Sequence, residues 1–327
     1  MPLRITLVCP APPGSRQGNR ITALRWARIL KSLGHRVRIA AKADDADLLV
    51  ALHARKSAVA ARHFHERHPD RPLVVALTGT DLYKDLPGNP EARRSIAMAC
   101  RLIVLQPAAL ARLPSAARRT ARVLHQSAIP PPRRARGAPD RFDVCVLAHL
   151  RAVKDPFRAA LAARMLPAAS RIRILHAGRA LSPAMAARAR AEMERNPRYV
   201  WVGERSHAAA RALLARSRLL VLSSRMEGGA NVIGEAAVCG VPALSSRIDG
   251  SIGLLGPRYP GLFPVGDTRS LASLLRRAET DARFRERLRR ETSRIAALFR
   301  PSRERRAWQS LIRELRPRTR PLAPSRK

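Results

Sequence analysis

The chain has 327 residues, and its 63 basic and 24 acidic side chains give a formal net charge of +39. This length exceeds the ~100–150 residues of one ordinary domain, so we expect two domains with separate cores. Because 46% of the residues are hydrophobic, the composition excludes a mainly disordered protein. No apolar stretch reaches the roughly 18–20 residues that a membrane-spanning helix needs, so we expect no insertion into a membrane.

The positive charge can be interpreted in two ways. Clustered lysines and arginines would neutralise the phosphates of a nucleic acid. Here the basic residues are spread along the chain, arginines outnumber lysines by 57 to six, and the aromatic residues that could stack on bases make up only 4%. The sequence therefore favours a general positive field that attracts small polyanions, and predicts no specific nucleic-acid partner.

The four cysteines are far apart and form no CxxC pair, which excludes a zinc ribbon or a disulfide scaffold. The apolar run at the N-terminus is too short for a secretory signal. We therefore predict a cytoplasmic protein.

Short apolar runs alternate with helical periodicity in the first part of the chain. Residues 20–33 place apolar side chains on one helical face, and Gly34 is a stop signal. Strands are predicted at residues 4–9, 37–40, 48–52, 73–77, 102–105 and 122–125. Strands that are separated by helices predict a parallel sheet with right-handed crossovers.

A proline-rich segment divides the chain. Residues 129–141 read IPPPRRARGAPDR and predict a linker between a domain of residues 1–128 and one of residues 142–300. Helices are predicted at residues 270–298 and, as a closing helix, at 301–315; residues 316–327 are expected to be a disordered tail. Strands of the second domain are predicted at residues 143–148, 171–177, 199–202, 219–223 and 243–246. The sequence thus predicts two facing Rossmann-like α/β domains, with a ligand in the cleft at the carboxyl ends of both parallel sheets.

The stretch with the clearest chemistry is residues 223–242, SSRMEGGANVIGEAAVCGVP, which follows a strand and enters a short helix. Gly228 and Gly229 would let the backbone approach a ligand and free amide groups for an anion. Glu227 and Glu235, with seven residues between them, can address a sugar hydroxyl and a ribose diol of one ligand. An ordinary strand–loop–helix with two helix-forming glutamates is the alternative.

A second element follows the first strand of the C-terminal domain. In residues 147–156, LAHLRAVKDP, Arg151 and Lys154 could neutralise a diphosphate leaving group. The alternative is that two basic residues lie in this loop by chance, because the chain contains so many of them.

Two N-terminal loops should face the same cleft. In residues 10–20, PAPPGSRQGNR, the amide groups and guanidinium groups would suit an anionic acceptor or the donor diphosphate, unless this is a plain loop. In residues 78–84, TGTDLYK, Asp81 is a candidate base or hydroxyl contact, although an isolated Asp is more often a helix cap. The predicted acceptor-side residues are Arg16, Gly18, Asn19, Arg20, Thr80, Asp81 and Lys84.

Three other patterns carry less weight. Asp45-Ala46-Asp47 spells a metal-binding DxD, but an Asp before a strand is common in turns. The spacing of His63, His65 and His68 does not suit zinc, and we expect no metal site. The basic helix at residues 20–33 could lie on a membrane, but packing on the first sheet explains its apolar stripe more simply.

The strand, the EGGAN turn, the helix and the CGVP step around Glu227 and Glu235 resemble the EX7E signature of the GT-B glycosyltransferases of the large retaining family 4. The resemblance implies that Glu235 binds the ribose of a nucleotide-sugar and that Glu227 approaches the donor sugar. It also implies that Arg151 and Lys154 bind the diphosphate without a metal. The residues implied to meet the sugar-phosphate are Gly228, Gly229, Ala230 and Asn231.

A narrower resemblance covers nearly the whole chain up to about residue 298. LTGTDLY at residues 77–83 and RIDGSIGLLG at residues 247–256 resemble the selenosugar synthases of selenoneine biosynthesis. That group joins the sugar of UDP-N-acetylglucosamine or UDP-glucose to selenium from selenophosphate, giving a 1-selenosugar and UDP. The resemblance also implies a functional link to selenophosphate synthetase and selenoneine synthase.

Two alternatives to a selenosugar synthase remain open. One is a family 4 enzyme that uses a hydroxyl acceptor, such as a lipid-linked or cell-envelope glycan, and the other is a basic nucleic-acid-binding protein. A selenium nucleophile would need little help from a general base, so we expect catalysis by positioning and leaving-group stabilisation.

Overall fold

The computed structural model of the chain describes residues 1–15, 17–42, 45–130 and 140–315. Within these residues, twelve strands form two six-stranded sheets, and each sheet is entirely parallel. The predicted α/β class with parallel sheets is confirmed. The predicted tail at residues 316–327 and most of the predicted linker lie outside the described residues.

The first sheet has the strand order β2-β1-β3-β4-β5-β6. Its strands are β1 (Arg4–Val8), β2 (Arg36–Ala40), β3 (Leu48–Leu52), β4 (Leu73–Leu77), β5 (Arg101–Val104) and β6 (Ala121–Val123). The connecting helices are α1 (Gly18–Ser32), α2 (Ala58–Arg67), α3 (Pro90–Met98) and α4 (Ser115–Thr120), with a π-helical turn at Asp81–Asp85 and a 3₁₀ helix at Pro107–Arg112. Every residue of β3 and β4 is buried, as expected for central strands that helices cover on both faces.

The second sheet has the order β12-β11-β10-β7-β8-β9. Its strands are β7 (Phe142–Leu147), β8 (Ile172–Ala177), β9 (Tyr199–Trp201), β10 (Leu219–Leu222), β11 (Ala243–Ser246) and β12 (Leu262–Phe263). Its helices are α5 (Arg158–Ala163), α6 (Pro183–Arg195), α7 (His207–Arg216), α8 (Asn231–Cys239), α9 (Asp249–Leu255), α10 (Thr268–Thr280) and α11 (Ala282–Arg294), with 3₁₀ turns at Ala152–Lys154 and Ala296–Phe299. The strand order reverses between β7 and β10, and ligands of such sheets bind outside the carboxyl ends at that point.

The last helix, α12 (Pro301–Leu315), returns to the N-terminal sheet. Trp308 packs edge-on against Trp26 of α1, with ring centroids 5.1 Å apart. The buried Glu304 accepts hydrogen bonds from Trp26 Nε1 at 3.0 Å and from the backbone N–H of Ser127 at 2.7 Å. The chain therefore crosses between the domains twice, and Ala128 N donates to Phe299 O at 2.9 Å where the two crossings meet.

The helix predicted at residues 270–298 is interrupted. It divides into α10 and α11 at Asp281, whose carboxylate accepts the Phe284 N–H at 2.8 Å and so begins a new helix. The strand β12 was not predicted, because two residues carry no periodicity. The predicted strand at residues 122–125 ends at Val123.

Candidate active site

The loop after β10 carries the first predicted glutamate. Ser223 and Ser224 follow Leu222 at the carboxyl edge of the second sheet. The Glu227 Oε1 atom accepts a hydrogen bond from Ser224 Oγ at 2.6 Å and another from Lys154 Nζ. The Glu227 side chain is 14% exposed, so part of the carboxylate remains accessible to a ligand.

The loop after β7 supplies the cation of this pair. The 3₁₀ turn at Ala152–Lys154 orients the Lys154 side chain, and Arg225 N donates to Val153 O at 2.8 Å, which ties this loop to the one after β10. Arg151 is exposed, and its side chain has no ion pair or hydrogen bond within the described residues. The two predicted diphosphate-binding cations therefore differ, because Lys154 is held by Glu227, whereas no residue in the described part of the chain pairs with Arg151.

A buried histidine anchors the start of the same loop. His176 Nε2 donates to Ala148 O at 2.9 Å, and the Tyr199 hydroxyl donates to His176 Nδ1 at 3.0 Å. Burial lowers the pKa of His176 to about 4, so the ring is neutral at pH 7. A neutral ring with both nitrogens in use fixes the backbone three residues before Arg151.

The Gly-rich turn lies directly against the N-terminal domain. A Cβ on Gly228 would be 2.3 Å from Thr78 O, and a Cβ on Gly229 would be 2.7 Å from Leu105 Cβ. Both distances are shorter than a real side chain could keep. The turn therefore needs glycines for the approach of the facing domain as well as for the predicted approach of a ligand.

The second predicted glutamate lies one turn into α8. This helix begins at Asn231, and its N-cap Ala230 adopts a left-handed conformation with φ 39° and ψ 51°. Glu235 is 14% exposed, and His207 Nε2 at the start of α7 lies 3.2 Å from Glu235 Oε1. The structure thus places Glu235 between α8 and α7, while Glu227 lies nearer to the facing domain.

A second contact between the domains lies beside the Gly-rich turn. The Arg112 guanidinium makes two hydrogen bonds to the Asp249 carboxylate, with Nε–Oδ2 at 2.5 Å and Nη2–Oδ1 at 3.1 Å. A Cβ on Gly253 would be 1.7 Å from Gln106 Oε1, so α9 also approaches the N-terminal domain closely. These contacts fix one side of the cleft.

Asp81 is enclosed by the backbone of its own loop and of the loop after β3. It is fully buried, and its carboxylate accepts backbone N–H groups of Thr78, Gly79 and Ala54 at 2.8–3.2 Å. Its oxygens therefore shape the loop after β4 and offer no accessible surface to an acceptor. The neighbouring Thr80 is half-buried, and Lys84 is exposed.

Sequence reasoning missed His53, the residue that follows β3. It is a non-glycine residue with φ 75°, and it is 2% exposed. His53 Nδ1 accepts the Lys56 N–H at 3.2 Å, which leaves Nε2 to donate to Thr80 Oγ1 at 3.0 Å. Burial lowers the pKa of His53, which favours the neutral ring. A polar residue immediately after an apolar strand was the available signal.

The loop after β1 leads directly into α1. Gly18 and Asn19 begin the helix, and Arg20 follows with a buried Nε atom that has no partner within the described residues. Arg16 lies outside the described residues. This end of α1 adjoins the carboxyl edge of the first sheet, since β1 ends at Val8.

The predicted residues therefore form three groups. Glu227 and Lys154 are in direct contact, and Gly228 and Gly229 bring this group against the loop that carries Thr80. Glu235 interacts with His207, and Gly18, Asn19 and Arg20 lie at the start of α1. Ser224 and His207, which sequence reasoning did not select, hold Glu227 and Glu235 respectively.

Within the described part of the chain, no three His, Cys, Asp or Glu side chains come close enough together to hold a metal ion. The described helices include none with the length and apolar character that crossing a bilayer requires. The expected independence from metals stays a prediction.

The family of glycosyl transferases group 1 matches residues 132–294, which include the loops of Lys154, Glu227 and Glu235. The chain contains a glycosyl transferases group 1 domain and is a glycosyltransferase. No curated protein is similar enough to the chain to match it. The predicted enzyme class is confirmed, and the role of each site residue stays a prediction.

Solved structures of similar fold support the architecture of this glycosyltransferase. HepE of Anabaena, solved in complex with UDP, is 16% identical with a TM-score of 0.76, over 95% of this chain and 100% of that one. Sucrose-phosphate synthase from Thermosynechococcus elongatus is also 16% identical with a TM-score of 0.76, over 95% and 98% of the two chains. The pneumococcal O-GlcNAc transferase GtfA, in complex with UDP and GlcNAc, is 12% identical with a TM-score of 0.65, over 82% and 56%. The predicted GT-B fold is confirmed.

Proposed function

We propose that this glycosyltransferase transfers the sugar of UDP-N-acetylglucosamine or UDP-glucose to selenium delivered as selenophosphate. One observation carries the donor half of the proposal. Lys154 of the loop after β7 and Ser224 of the loop after β10 hold the Glu227 carboxylate at the carboxyl edge of the second sheet. Glu235 follows Glu227 by eight residues. This edge is where open α/β sheets bind their ligands. The UDP and UDP-glucose complexes of HepE support a UDP-sugar as donor.

Each side chain has a distinct role in the proposed donor complex. Glu235 accepts hydrogen bonds from the ribose diol, displacing His207, and Glu227 accepts one from a hydroxyl of the sugar. Arg151 and Lys154 neutralise the diphosphate, whose negative charge grows as the bond to the sugar breaks. Backbone groups of the turn at residues 228–231 contact the sugar-phosphate.

The acceptor would bind on the N-terminal side of the cleft. The loop after β4 presents Thr80 and Lys84 there, and the start of α1 presents Gly18, Asn19 and Arg20. Arg16, which the sequence predicts for the same side, lies outside the described residues. Arg20 is half-buried at this position and adds a positive charge that would attract an anion. Selenophosphate is small and multiply charged, so it matches cationic groups better than a neutral hydroxyl acceptor would.

The proposed reaction replaces one bond at the sugar's anomeric carbon. Selenium forms a bond to C1 while the bond from C1 to the diphosphate oxygen breaks, and UDP leaves with the electron pair. Water then cleaves the phosphorus–selenium bond and releases phosphate and the 1-selenosugar. The selenium atom is already strongly nucleophilic, so the cleft needs no general base, which agrees with the enclosure of Asp81.

The test is an anaerobic incubation of the protein with selenophosphate and each UDP-sugar in turn, without added metal. The proposal predicts a product with the isotope pattern of selenium in the mass spectrum and an equal amount of UDP. A Glu235→Gln variant should lose the product, and a Glu194→Gln variant, changed at an exposed carboxylate of the same domain, should keep it. UDP release with a glycan hydroxyl acceptor but none with selenophosphate would replace the proposed acceptor and leave the donor assignment intact.

A further inference from the structure

The residue that follows β3 has a strained backbone conformation. His53 has a φ of 75°, in the left-handed region, and its side chain is buried. This region is unfavourable for any residue that carries a Cβ atom. Such strain persists only where the surrounding structure maintains it, and it is concentrated at functional sites. The conformation of His53, at the carboxyl edge of the first sheet, therefore indicates a role beyond packing.

The hydrogen bonds of the His53 ring fix its tautomer. Nδ1 accepts the backbone N–H of Lys56 at 3.2 Å, so the ring hydrogen is on Nε2, which donates to Thr80 Oγ1 at 3.0 Å. Asp85 Oδ2 lies 3.8 Å from Nε2, beyond hydrogen-bond distance, and Arg55 Nε pairs with it at 3.4 Å. Burial lowers the pKa of His53, so the ring is neutral at pH 7 and Thr80 Oγ1 is the acceptor of this bond.

The Thr80 hydroxyl does not perform the task that its position usually gives a threonine. Thr80 is the N-cap of the π-helical turn at Asp81–Asp85, and a threonine at a helix N-cap commonly accepts a backbone N–H. The Thr80 side chain makes no such bond, and its oxygen accepts from His53 instead. A hydroxyl also has one hydrogen to donate, and in the part of the chain that the structure describes this hydrogen has no acceptor.

Thr80 lies beside the candidate donor site. A Cβ on Gly79 would be 3.1 Å from Gly228 N, so the loop after β4 contacts the turn that follows Glu227. Thr80 itself is only half-buried, which leaves it partly accessible to a ligand. An acceptor that attacks the sugar bound at Glu227 would therefore approach close to the Thr80 hydroxyl.

We propose that His53 is a positioning residue, which fixes the Thr80 hydroxyl as a hydrogen-bond donor to a phosphate oxygen of the acceptor. This inference rests on the proposed function. A threonine hydroxyl that is free to rotate presents either its hydrogen or its lone pairs, and the bond from His53 Nε2 leaves it to donate. The negatively charged oxygens of selenophosphate accept hydrogen bonds, so they match a hydroxyl of fixed direction. His53 acts only through Thr80 and does not contact the substrate.

The experiment measures the rate of UDP release under anaerobic conditions while the selenophosphate concentration is varied at a saturating concentration of the UDP-sugar. Thr80→Val keeps the shape of the side chain and removes the hydroxyl. It should raise the KM for selenophosphate about tenfold, because a hydrogen bond to a charged oxygen is lost. The KM for the UDP-sugar should stay the same. Thr80→Ser keeps the hydroxyl and should resemble the wild type in both constants.

A variant of His53 separates positioning from support of the backbone. Asparagine tolerates the left-handed conformation, but its side chain is too short to replace the bond from Nε2 to Thr80. His53→Asn should raise the KM for selenophosphate about threefold, since the hydroxyl is present but no longer fixed. The double variant His53→Asn, Thr80→Val should be no worse than Thr80→Val alone, because no hydroxyl is left to orient. His63→Asn, at an exposed position of α2, is the matched control and should resemble the wild type.

The tautomer of His53 gives a measurement that does not depend on the acceptor. In ¹H–¹⁵N spectra of the imidazole rings, the His53 signals are assigned by their loss in His53→Asn. The proposal predicts a neutral ring that is protonated at Nε2, and protonation at Nδ1 would overturn it.

The kinetic outcomes distinguish this inference from the proposed function. If the wild-type protein forms no selenosugar, the proposed function and this inference are both wrong. If it forms the selenosugar but Thr80→Val leaves the KM for selenophosphate unchanged, or raises the KM for the UDP-sugar instead, this inference alone is overturned. A double variant that is worse than Thr80→Val would likewise show that His53 only supports the fold.

Discussion

Lys154 and Glu227 form an ion pair between two loops that are 73 residues apart in sequence. The Lys154 side chain is 20% exposed and the Glu227 side chain 14%, so the pair is partly shielded from water and still open to a ligand. Each partner keeps the other oriented in the absence of substrate. This preorganisation is the structural basis of the proposed role of Lys154, because a leaving group gains most from a charge that needs no rearrangement.

Replacing Lys154 with Met should lower the turnover number for UDP release by about 10²–10³-fold, because the leaving diphosphate loses a fixed cation. The initial rate at saturating UDP-sugar is the measurement, and Lys31→Met, at an exposed position near the end of α1, is the control. The double variant Lys154→Met, Glu227→Gln tests whether Lys154 acts on the leaving group or only neutralises the charge of Glu227. If the double variant recovered activity, Lys154 would serve only to neutralise Glu227.

Adding a methyl group at Gly228 should impair the enzyme by separating its domains. The new Cβ would be 2.3 Å from Thr78 O, so the loop after β4 must move away, and a displacement of about 1 Å at a reacting centre costs about 10²-fold in rate. Gly88→Ala is the control, since a Cβ there meets no atom within 4 Å. Unchanged kcat/KM and an unchanged radius of gyration by small-angle scattering in Gly228→Ala would show that the contact is not needed.

Ala230 has a left-handed backbone conformation. Its strain should be measurable by comparing the stability of Ala230→Gly with that of Ala236→Gly. Replacing the buried Ala236 inside α8 with Gly should cost about 2 kcal/mol, from lost helix propensity and a lost methyl contact. Ala230→Gly loses a similar methyl contact but gains about 1–2 kcal/mol by relief of the positive φ. Urea unfolding should therefore find Ala230→Gly nearly neutral, and equal losses in the two variants would mean that Ala230 is unstrained.

Acid should destabilise the C-terminal domain partly through His176. Its pKa is about 4 in the fold and ~6.5 in an unfolded chain, so between these values the unfolded state binds the extra proton and stability falls as the pH falls. From pH 7 to pH 5 this one group should remove about 2 kcal/mol from the free energy of unfolding. His176→Gln should be less stable than the wild type at pH 7. Between pH 7 and pH 5 its free energy of unfolding should fall by about 2 kcal/mol less than that of the wild type. An identical pH dependence of stability in the two proteins would contradict the assignment.

Much of the fold could be predicted because apolar runs and turn residues coincide in this chain. The buried runs at residues 48–52 and 73–77 are strands with the predicted bounds, and the Gly-rich turn after β10 has the predicted strand–turn–helix context. The direction of α12 could not be predicted, because an apolar stripe that contains Trp308 does not specify which sheet it covers.

The hydrogen-bond and ion-pair partners of the site residues could not be predicted from the sequence. Lys154 was expected to bind diphosphate, but its contact with Glu227 depends on two loops that meet only when the sheet forms. His53 is held by Thr80, 27 residues later, and its left-handed backbone has no sequence signature. Long-range contacts of this kind follow from strand order rather than from local composition.

The most direct test of the central claim is a calorimetric titration of the protein with UDP. If Glu235 holds the ribose, the wild-type protein should bind UDP, and Glu235→Gln should bind it about 10–100-fold more weakly, because a charge-assisted hydrogen bond is lost. Glu194→Gln should match the wild type. Equal UDP affinity in Glu235→Gln and the wild type, or no UDP binding by the wild-type protein, would contradict the assignment of this sheet edge as the donor site.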